Sequence, residues 1–338
     1  MITHESSLKE FSSQINFVLD NYSPHGFTSA EFSNVVLGGL GGSGIGAQIV
    51  KNWFFETAGL PIEVVGDYFL PAYANEKTFV VLNSYSGNTE ETLSLYQDAV
   101  NRGCTIVVLS SGGEITRLGA ENNQKVYALK PGFQPRQTIG MGLSYLLLIM
   151  GDFLGVDLRE EVKEIGEKLV ENQEEQIRSA ERIYSFFASS LKNKFVLLAD
   201  RQMYPLALRF SQQLNENAKM EAFVNAVPES NHNVLESYID RLPTNFLLLF
   251  TEQNVRVGSR FDFLGGHLEM DNNKVLPLAI PTYDLYTIYD VIYRLDWVSV
   301  IAANEVDADL MEVPNIDALK EYLANVEEIL EEEEGENE

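Results

Sequence analysis

The sequence predicts an α/β fold: two successive units, each a doubly wound, mainly parallel sheet flanked by helices. Three observations carry that prediction. Short apolar runs alternate with helix-like stretches from Val35 onward, the pattern of a parallel sheet covered on both faces. The alternation halts at a long charged stretch, Asp157 to Leu191, and restarts at Phe195. Two polar loops, after Leu37 and after Leu82, directly follow apolar runs. They therefore fall at the carboxyl ends of strands, where such sheets bind ligands.

The elements follow in order. Residues 1–33 read as helix and turn, with Leu8, Phe11, Ile15, Phe17 and Val18 as a packing face. Strand-like runs come at Val35–Leu37, Ile62–Val65, Phe79–Leu82, Thr105–Leu109 and Val126–Leu129. Helix-like segments lie between several of them, at Ile45–Phe55, Glu90–Asn101 and Glu114–Asn122. Thr138–Leu154 is an apolar helix that closes the first unit, and Asp157–Leu191 is a charged helical connection. Strands then recur at Phe195–Leu198, Phe246–Phe250 and Val275–Leu278, with helices over Met203–Met220 and Tyr283–Asn304. Asp317–Leu330 is a final helix, followed by a Glu-rich end that frays. The expected division is a first unit over 1–155, a helical connection over 156–193 and a second unit over 194–338.

At 338 residues, 45% hydrophobic and 11% aromatic, the chain can bury a substantial core. It carries 24 Lys and Arg against 50 Asp and Glu, a formal charge of −26, with six of the Glu in the last eight residues. That field repels nucleic-acid phosphates and anionic membranes, so neither is an expected partner. An anionic substrate needs a local positive pocket. The single Cys104 excludes an intramolecular disulfide and fits a reducing compartment; at the start of an apolar run it reads as a structural thiol. Met1–Glu5 shows no signal-peptide pattern, and the apolar stretch at Leu143–Met150 is too short to span a bilayer. The expectation is a cytoplasmic protein.

The chemistry sits in the loops. Ser84, Ser86, Gly87 and Thr89 lie within six positions just before a helix start. A helix start leaves N–H groups unpaired and carries partial positive charge, so hydroxyls beside it can hold a phosphate. The same residues also serve as ordinary caps and turns. The first loop, Gly38 to Gly46, contains G-x-G-x-x-G at Gly39, Gly41 and Gly44, which raises a dinucleotide reading. Asp67 lies 28 residues beyond Gly39, farther than the usual spacing of about 20. The second hydroxyl loop also has no place in a dinucleotide site.

Gly41-Gly42-Ser43 together with Ser84-Tyr85-Ser86-Gly87-Asn88-Thr89 resembles the phosphosugar-binding sugar isomerase (SIS) domain. Gln212–Lys219, with Glu216-Asn217-Ala218-Lys219, and then Pro228–Asn233, with Asn231-His232-Asn233, resembles the bifunctional phosphoglucose/phosphomannose isomerase family. The resemblance runs from about residue 35 to about residue 323. It implies two SIS domains in one chain, no metal and no cofactor. It also implies a homodimer in which His232 reaches the neighbouring subunit's active site. Departures from the pattern are Gln48, where many relatives carry Asp, and Leu40, where Met is common.

The resemblance assigns roles that chemistry supports. Aldose–ketose isomerisation opens the sugar ring and moves a proton between C1 and C2 through a cis-enediol, which needs a carboxylate base and a ring-opening acid or base. Glu216 is the implied base. It shares a helix face with Arg209 and Gln213, while Leu206, Ala207, Phe210 and Leu214 form another stripe. Arg136 is the implied stabiliser of the enediolate, a suitable task for a planar cation. His232 is the implied ring-opening histidine, assisted by Lys320. Gly42, Ser43, Ser84, Ser86 and Thr89 are the implied phosphate site. His4, His25 and His267 receive no catalytic role. The expected reaction links glucose 6-phosphate or mannose 6-phosphate to fructose 6-phosphate. Two alternatives stay open: a non-catalytic phosphosugar-binding regulator and an isomerase of another phosphosugar. Such regulators usually carry a helix-turn-helix, and the 33 residues before the first strand are too few and too acidic for one.

Overall fold

A computed structural model of the chain describes residues 2–238, 242–269 and 273–323. The Glu-rich end and the part of the expected last helix beyond residue 323 lie outside them.

The chain begins with α1 (His4–Lys9) and α2 (Phe11–Asn21). Phe11 packs edge-on against Tyr289 and Tyr293, far along the chain, which draws this leading segment into the molecule. Then come β1 (Asn34–Gly38), α3 (Gly41–Trp53), β2 (Ile62–Val65), β3 (Thr78–Asn83), α4 (Glu90–Asn101), β4 (Thr105–Ser110), α5 (Gly113–Glu121) and β5 (Lys125–Ala128). These five strands form one parallel sheet in the order β2-β1-β3-β4-β5. Every residue of β1 and β3 is buried, which is why the stretches Val35–Leu37 and Phe79–Leu82 within them read as apolar runs. The chain leaves β1 to one side for β2 and returns on the other for β3. The carboxyl ends of β1 and β3 therefore flank a topological switch point.

After α6 (Ile139–Leu154) and α7 (Arg159–Phe187) the plan repeats with β6 (Lys194–Ala199), α8 (Tyr204–Ala218), β7 (Ala222–Ala226), β8 (Thr244–Thr251), α9 (Val255–Glu269), β9 (Lys274–Ile280) and α10 (Leu285–Glu305). The second sheet is parallel, in the order β7-β6-β8-β9, with its own switch point between β6 and β8. Residues 306–313 form a strap leading to a last helix over 314–323. One continuous apolar core runs from Leu8 to Ala303 and includes the inner faces of both sheets. Smaller clusters fill the outer face of each.

Three expectations change. The first glycine loop does not precede its helix as far as Ile45: α3 already starts at Gly41. β7 and α9 were not foreseen. Finally, the apolar run Pro135–Leu154 is long enough to cross a membrane by length and composition, unlike the shorter stretch read from the sequence. It is a core helix: 14 of the 16 residues of α6 are buried inside the protein.

Candidate active site

The first switch point is built by close backbone approach. A side chain at Gly42 would meet Arg136 N and Pro135 C at 2.9 Å, so glycine there lets α3 start directly against the turn that carries Arg136. Gly87 (φ +74°) takes a backbone conformation that favours glycine, and a Cβ there would strike the Gly112 carbonyl. Around these glycines the hydroxyls are tied together. Asn83 Nδ2 donates to Ser43 O at 2.8 Å, and Tyr85 N donates to Ser43 Oγ at 3.2 Å. Ser84 Oγ and Thr89 Oγ1 are 3.0 Å apart. Gly87 N donates to Ser84 Oγ at 3.2 Å and Asn88 N to Ser86 Oγ at 3.3 Å. Ser43, Ser84, Ser86 and Thr89 thus sit beside the starts of α3 and α4, where orphan N–H groups and the helix dipole favour an anion.

The second switch point is differently furnished. Asp200, following β6, is buried; its Oδ1 accepts from Met203 N at 2.8 Å. Its Oδ2 accepts from both Thr251 N and Thr251 Oγ1 at 2.7 Å. The chain's own carboxylate occupies the donors that an incoming anion would use.

Arg136 comes from the short 3₁₀ turn Pro135–Thr138, and its side chain is 5% exposed. A guanidinium has five N–H donors. Nε donates to Asn217 Oδ1 at 3.0 Å, and Nη1 to Glu216 Oε2 at 3.2 Å. Nη2 donates to the carbonyls of Leu310 at 2.6 Å and Met311 at 3.5 Å. One N–H remains, on the nitrogen that also holds Glu216. Burial pulls the Arg136 pKa down and the Glu216 carboxylate pushes it back up. Its carbonyl accepts from Arg209 Nη2 at 3.0 Å, and Arg209 forms a two-pronged ion pair with Asp296 at 3.1 and 2.6 Å. Both partners are almost wholly buried, at 2% and 1% exposure, so removing either leaves an uncompensated charge.

Glu216 lies in the last turn of α8 with a side chain 28% exposed, on the polar face shared by Arg209 and Gln213. Asn217, next to it, is wholly buried and acts as a hub. Its Nδ2 donates to Gln213 Oε1 at 2.9 Å and Ser299 Oγ at 3.0 Å, and lies 3.4 Å from His4 Nε2. Sequence reasoning gave His4 no role; the structure buries it completely behind Arg136, with Nδ1 unpartnered. Burial, with Arg136 and Arg209 nearby, lowers its pKa to about 3. Only tertiary packing of α1 against α10 brings it there, so its own stretch of sequence gives no sign of it.

Lys219 ends α8 in the left-handed region, φ +56°. Its Nζ donates to the Glu216 carbonyl, to Asp309 O at 2.8 Å and to Glu312 O at 2.7 Å. A cleft of about 530 Å³ opens beside it, lined by Asn215, Glu216, Lys219, Phe223 and Val313–Ile316 among others. The phosphate-loop hydroxyls do not line that cleft.

The structure therefore joins Arg136 to Glu216, and Gly42 to the Arg136 turn. It does not join the remaining two candidates to them within one chain. His232 is exposed on the 3₁₀ turn Glu229–His232. Its neighbour Asn231 accepts from Arg260 Nη1 at 3.1 Å, beside a cleft of about 460 Å³ lined by Arg256, Arg260 and Phe263. Lys320 is 72% exposed, and its nearest acid is Asp317 at 3.8 Å. Among the described residues no group of three or more His, Cys, Asp or Glu is placed to hold a metal ion. Cys104 is half-buried, and burial pushes its pKa up, away from nucleophilic reactivity.

Comparison with known proteins matches residues 29–120 to the SIS domain and residues 182–323 to the bacterial phospho-glucose isomerase C-terminal SIS domain. The chain is similar to the bifunctional phosphoglucose/phosphomannose isomerase of Caldicellulosiruptor bescii, 31% identical over 88% of this chain and 91% of that one. It is 32% identical to the protein of the same name from Aquifex aeolicus, over 86% and 91%. A D-glucosamine-6-phosphate 4-epimerase of Sulfolobus acidocaldarius is 30% identical over 62% and 65%. Among solved structures, a putative phosphosugar isomerase from Clostridium difficile shares the fold with a TM-score of 0.73 at 14% identity, covering 93% of this chain and 96% of the other.

Proposed function

This chain belongs to the bifunctional phosphoglucose/phosphomannose isomerase family, and from that premise we propose that it interconverts glucose 6-phosphate and mannose 6-phosphate with fructose 6-phosphate, using Glu216 and Arg136 as its central pair. The carrying observation is the ion pair between Arg136, from the first unit, and Glu216, from the second. The substrate phosphate rests on Gly42, Ser43, Ser84, Ser86 and Thr89, at the starts of α3 and α4. Glu216 binds Arg136 through Oε2, which leaves Oε1 to take the C2 proton of the open-chain aldose and return it to C1. Meanwhile the hydroxyl proton moves from O2 to O1. The remaining Nη1 hydrogen of Arg136 stabilises the enediolate oxygen formed between those steps. It also supplies the local positive charge that a substrate needs on a chain of net charge −26. His232 opens the ring from a second copy of the chain in a homodimer, consistent with its exposed position here. Lys320 assists from the terminal helix. Neither cofactor nor metal takes part, and the protein works in the cytoplasm.

The test is a coupled assay with fructose 6-phosphate in the presence of EDTA, reading glucose 6-phosphate and mannose 6-phosphate separately. Both products are expected. Folded protein that forms neither would overturn the proposal. A second reading, chemistry on an amino phosphosugar, is favoured by the similarity to the Sulfolobus epimerase. Glucosamine 6-phosphate run in parallel discriminates it.

A further inference from the structure

The Glu216-Asn217-Ala218-Lys219 segment contains a lysine that the reaction described above does not use. An ammonium has three N–H donors and no acceptor. In Lys219 each of the three has a main-chain carbonyl partner: Glu216, at the base itself, and Asp309 and Glu312, in the strap after α10. The two carbonyls between those strap acceptors, Leu310 and Met311, receive Arg136 Nη2. Gln134 Nε2 donates to Met311 O as well, at 2.8 Å. Four consecutive carbonyls of the strap are thus bound by side chains from around the catalytic pair. The strap's own turn is held by Asp309 Oδ1, which accepts from Met311 N at 2.7 Å and Glu312 N at 3.1 Å.

We infer that Lys219 is a positioning residue for the isomerisation: it ties the end of the base-bearing helix to the 309–312 strap, and the strap in turn fixes the guanidinium of Arg136 against Glu216. With its hydrogens all committed to carbonyls, Lys219 holds the arrangement and does not shuttle protons. The left-handed backbone at Lys219 turns its side chain back over the last turn of α8, where the Glu216 carbonyl is otherwise an orphan. Because the side chains bound to the strap carbonyls are Lys219, Arg136 and Gln134 and none of the phosphate-loop hydroxyls, loss of the tie affects the chemical step and leaves the grip on the substrate.

This inference rests on Glu216 and Arg136 being the catalytic pair, and the experiment keeps the two apart. Steady-state turnover of fructose 6-phosphate is measured for wild type, Lys219→Met, Lys219→Arg, Asp309→Ala, Asp309→Asn and Glu216→Gln, with melting temperatures alongside. Misplacing a catalytic group by about 1 Å costs on the order of 10²-fold in rate, so kcat of Lys219→Met is expected to fall ~10- to 100-fold with KM changed less than ~3-fold. Lys219→Arg is expected to recover much of that loss. Asp309→Ala lies in an exposed turn and cannot empty the core; it is expected to follow Lys219→Met, with Asp309→Asn restoring activity through its amide oxygen. Full kcat in Lys219→Met, a loss seen only in KM, or no recovery in Lys219→Arg would overturn the inference. Full turnover in Glu216→Gln would instead remove the assignment of the base.

Discussion

His4 offers a direct electrostatic test of the site's architecture. It is wholly buried, next to two guanidinium groups, and its pKa drops from an ordinary 6.5 to about 3. The folded protein therefore holds it neutral, while the unfolded chain protonates it below about pH 6.5. The unfolded state binds more protons, so the contribution of neutral His4 to stability is fully present above pH 6.5. It is lost progressively as the pH falls toward 3. Between pH 7 and pH 5 the linkage relation gives a loss of about 2 kcal/mol from this one side chain. The assay is urea unfolding at both pH values, for wild type and for His4→Gln, which keeps an acceptor for Asn217 but cannot titrate. Wild type is expected to lose ~2 kcal/mol more than the variant over that interval. The other three histidines contribute equally to both proteins and cancel. Equal losses would refute the buried, neutral His4 and the packing of α1 against the Arg136 region.

The remaining predictions concern chemistry. Glu216→Gln is expected to lower turnover by at least about 10³-fold, within the range of general acid–base catalysis, while a circular-dichroism melt stays close to wild type because the side chain is partly exposed. Arg136→Lys keeps the charge but brings three N–H donors to the four acceptors that Arg136 binds, leaving none for the enediolate oxygen; kcat is expected to fall ~10²-fold, as when a transition-state donor is removed. Calorimetric titration with inorganic phosphate is expected to give one site per chain, because Asp200 fills the second switch point. Ser86→Ala with Thr89→Val should abolish that single site.

What the sequence revealed follows from how each part is held. β1, β3 and β8 are buried along their whole length, so each carries an unbroken apolar stretch in its middle, Val35–Leu37, Phe79–Leu82 and Phe246–Phe250, that stands out. β7 leaves Phe223 55% exposed at a sheet edge, and its pattern carries no such mark. α9 buries only Phe261, Leu264 and Leu268 and contains Gly258, Gly265 and Gly266, too thin a stripe to read as a helix. Within the site, Arg136 and Glu216 stand out in the sequence through the family resemblance, and the structure adds that they meet at 3.2 Å. The strap at 309–312 was invisible because it acts through main-chain carbonyls, which every residue possesses. Asp296 and Ser299 were hidden for a related reason: on α10 they look like stray polar residues in an apolar helix until Arg209 and Asn217 are placed opposite. His232 and Lys320 rest on the motif and the family, and the single chain leaves both apart from the central pair.

The centre draws on residue 4, residue 136, residues 216–219, residue 296 and residues 309–312. This distribution has a consequence for biosynthesis. A growing chain delivers Arg136 early, but the carbonyls that hold it emerge more than 170 residues later. At a translation rate of about 5–20 residues per second, the arginine waits roughly 9 to 35 s for its last partners. The first sheet can close during that time, because its strands and helices are complete by Leu154. The pairing of Arg136 with Glu216 cannot be completed so early: on the ribosome the arginine lacks its strap partners until residues 309–312 have been made.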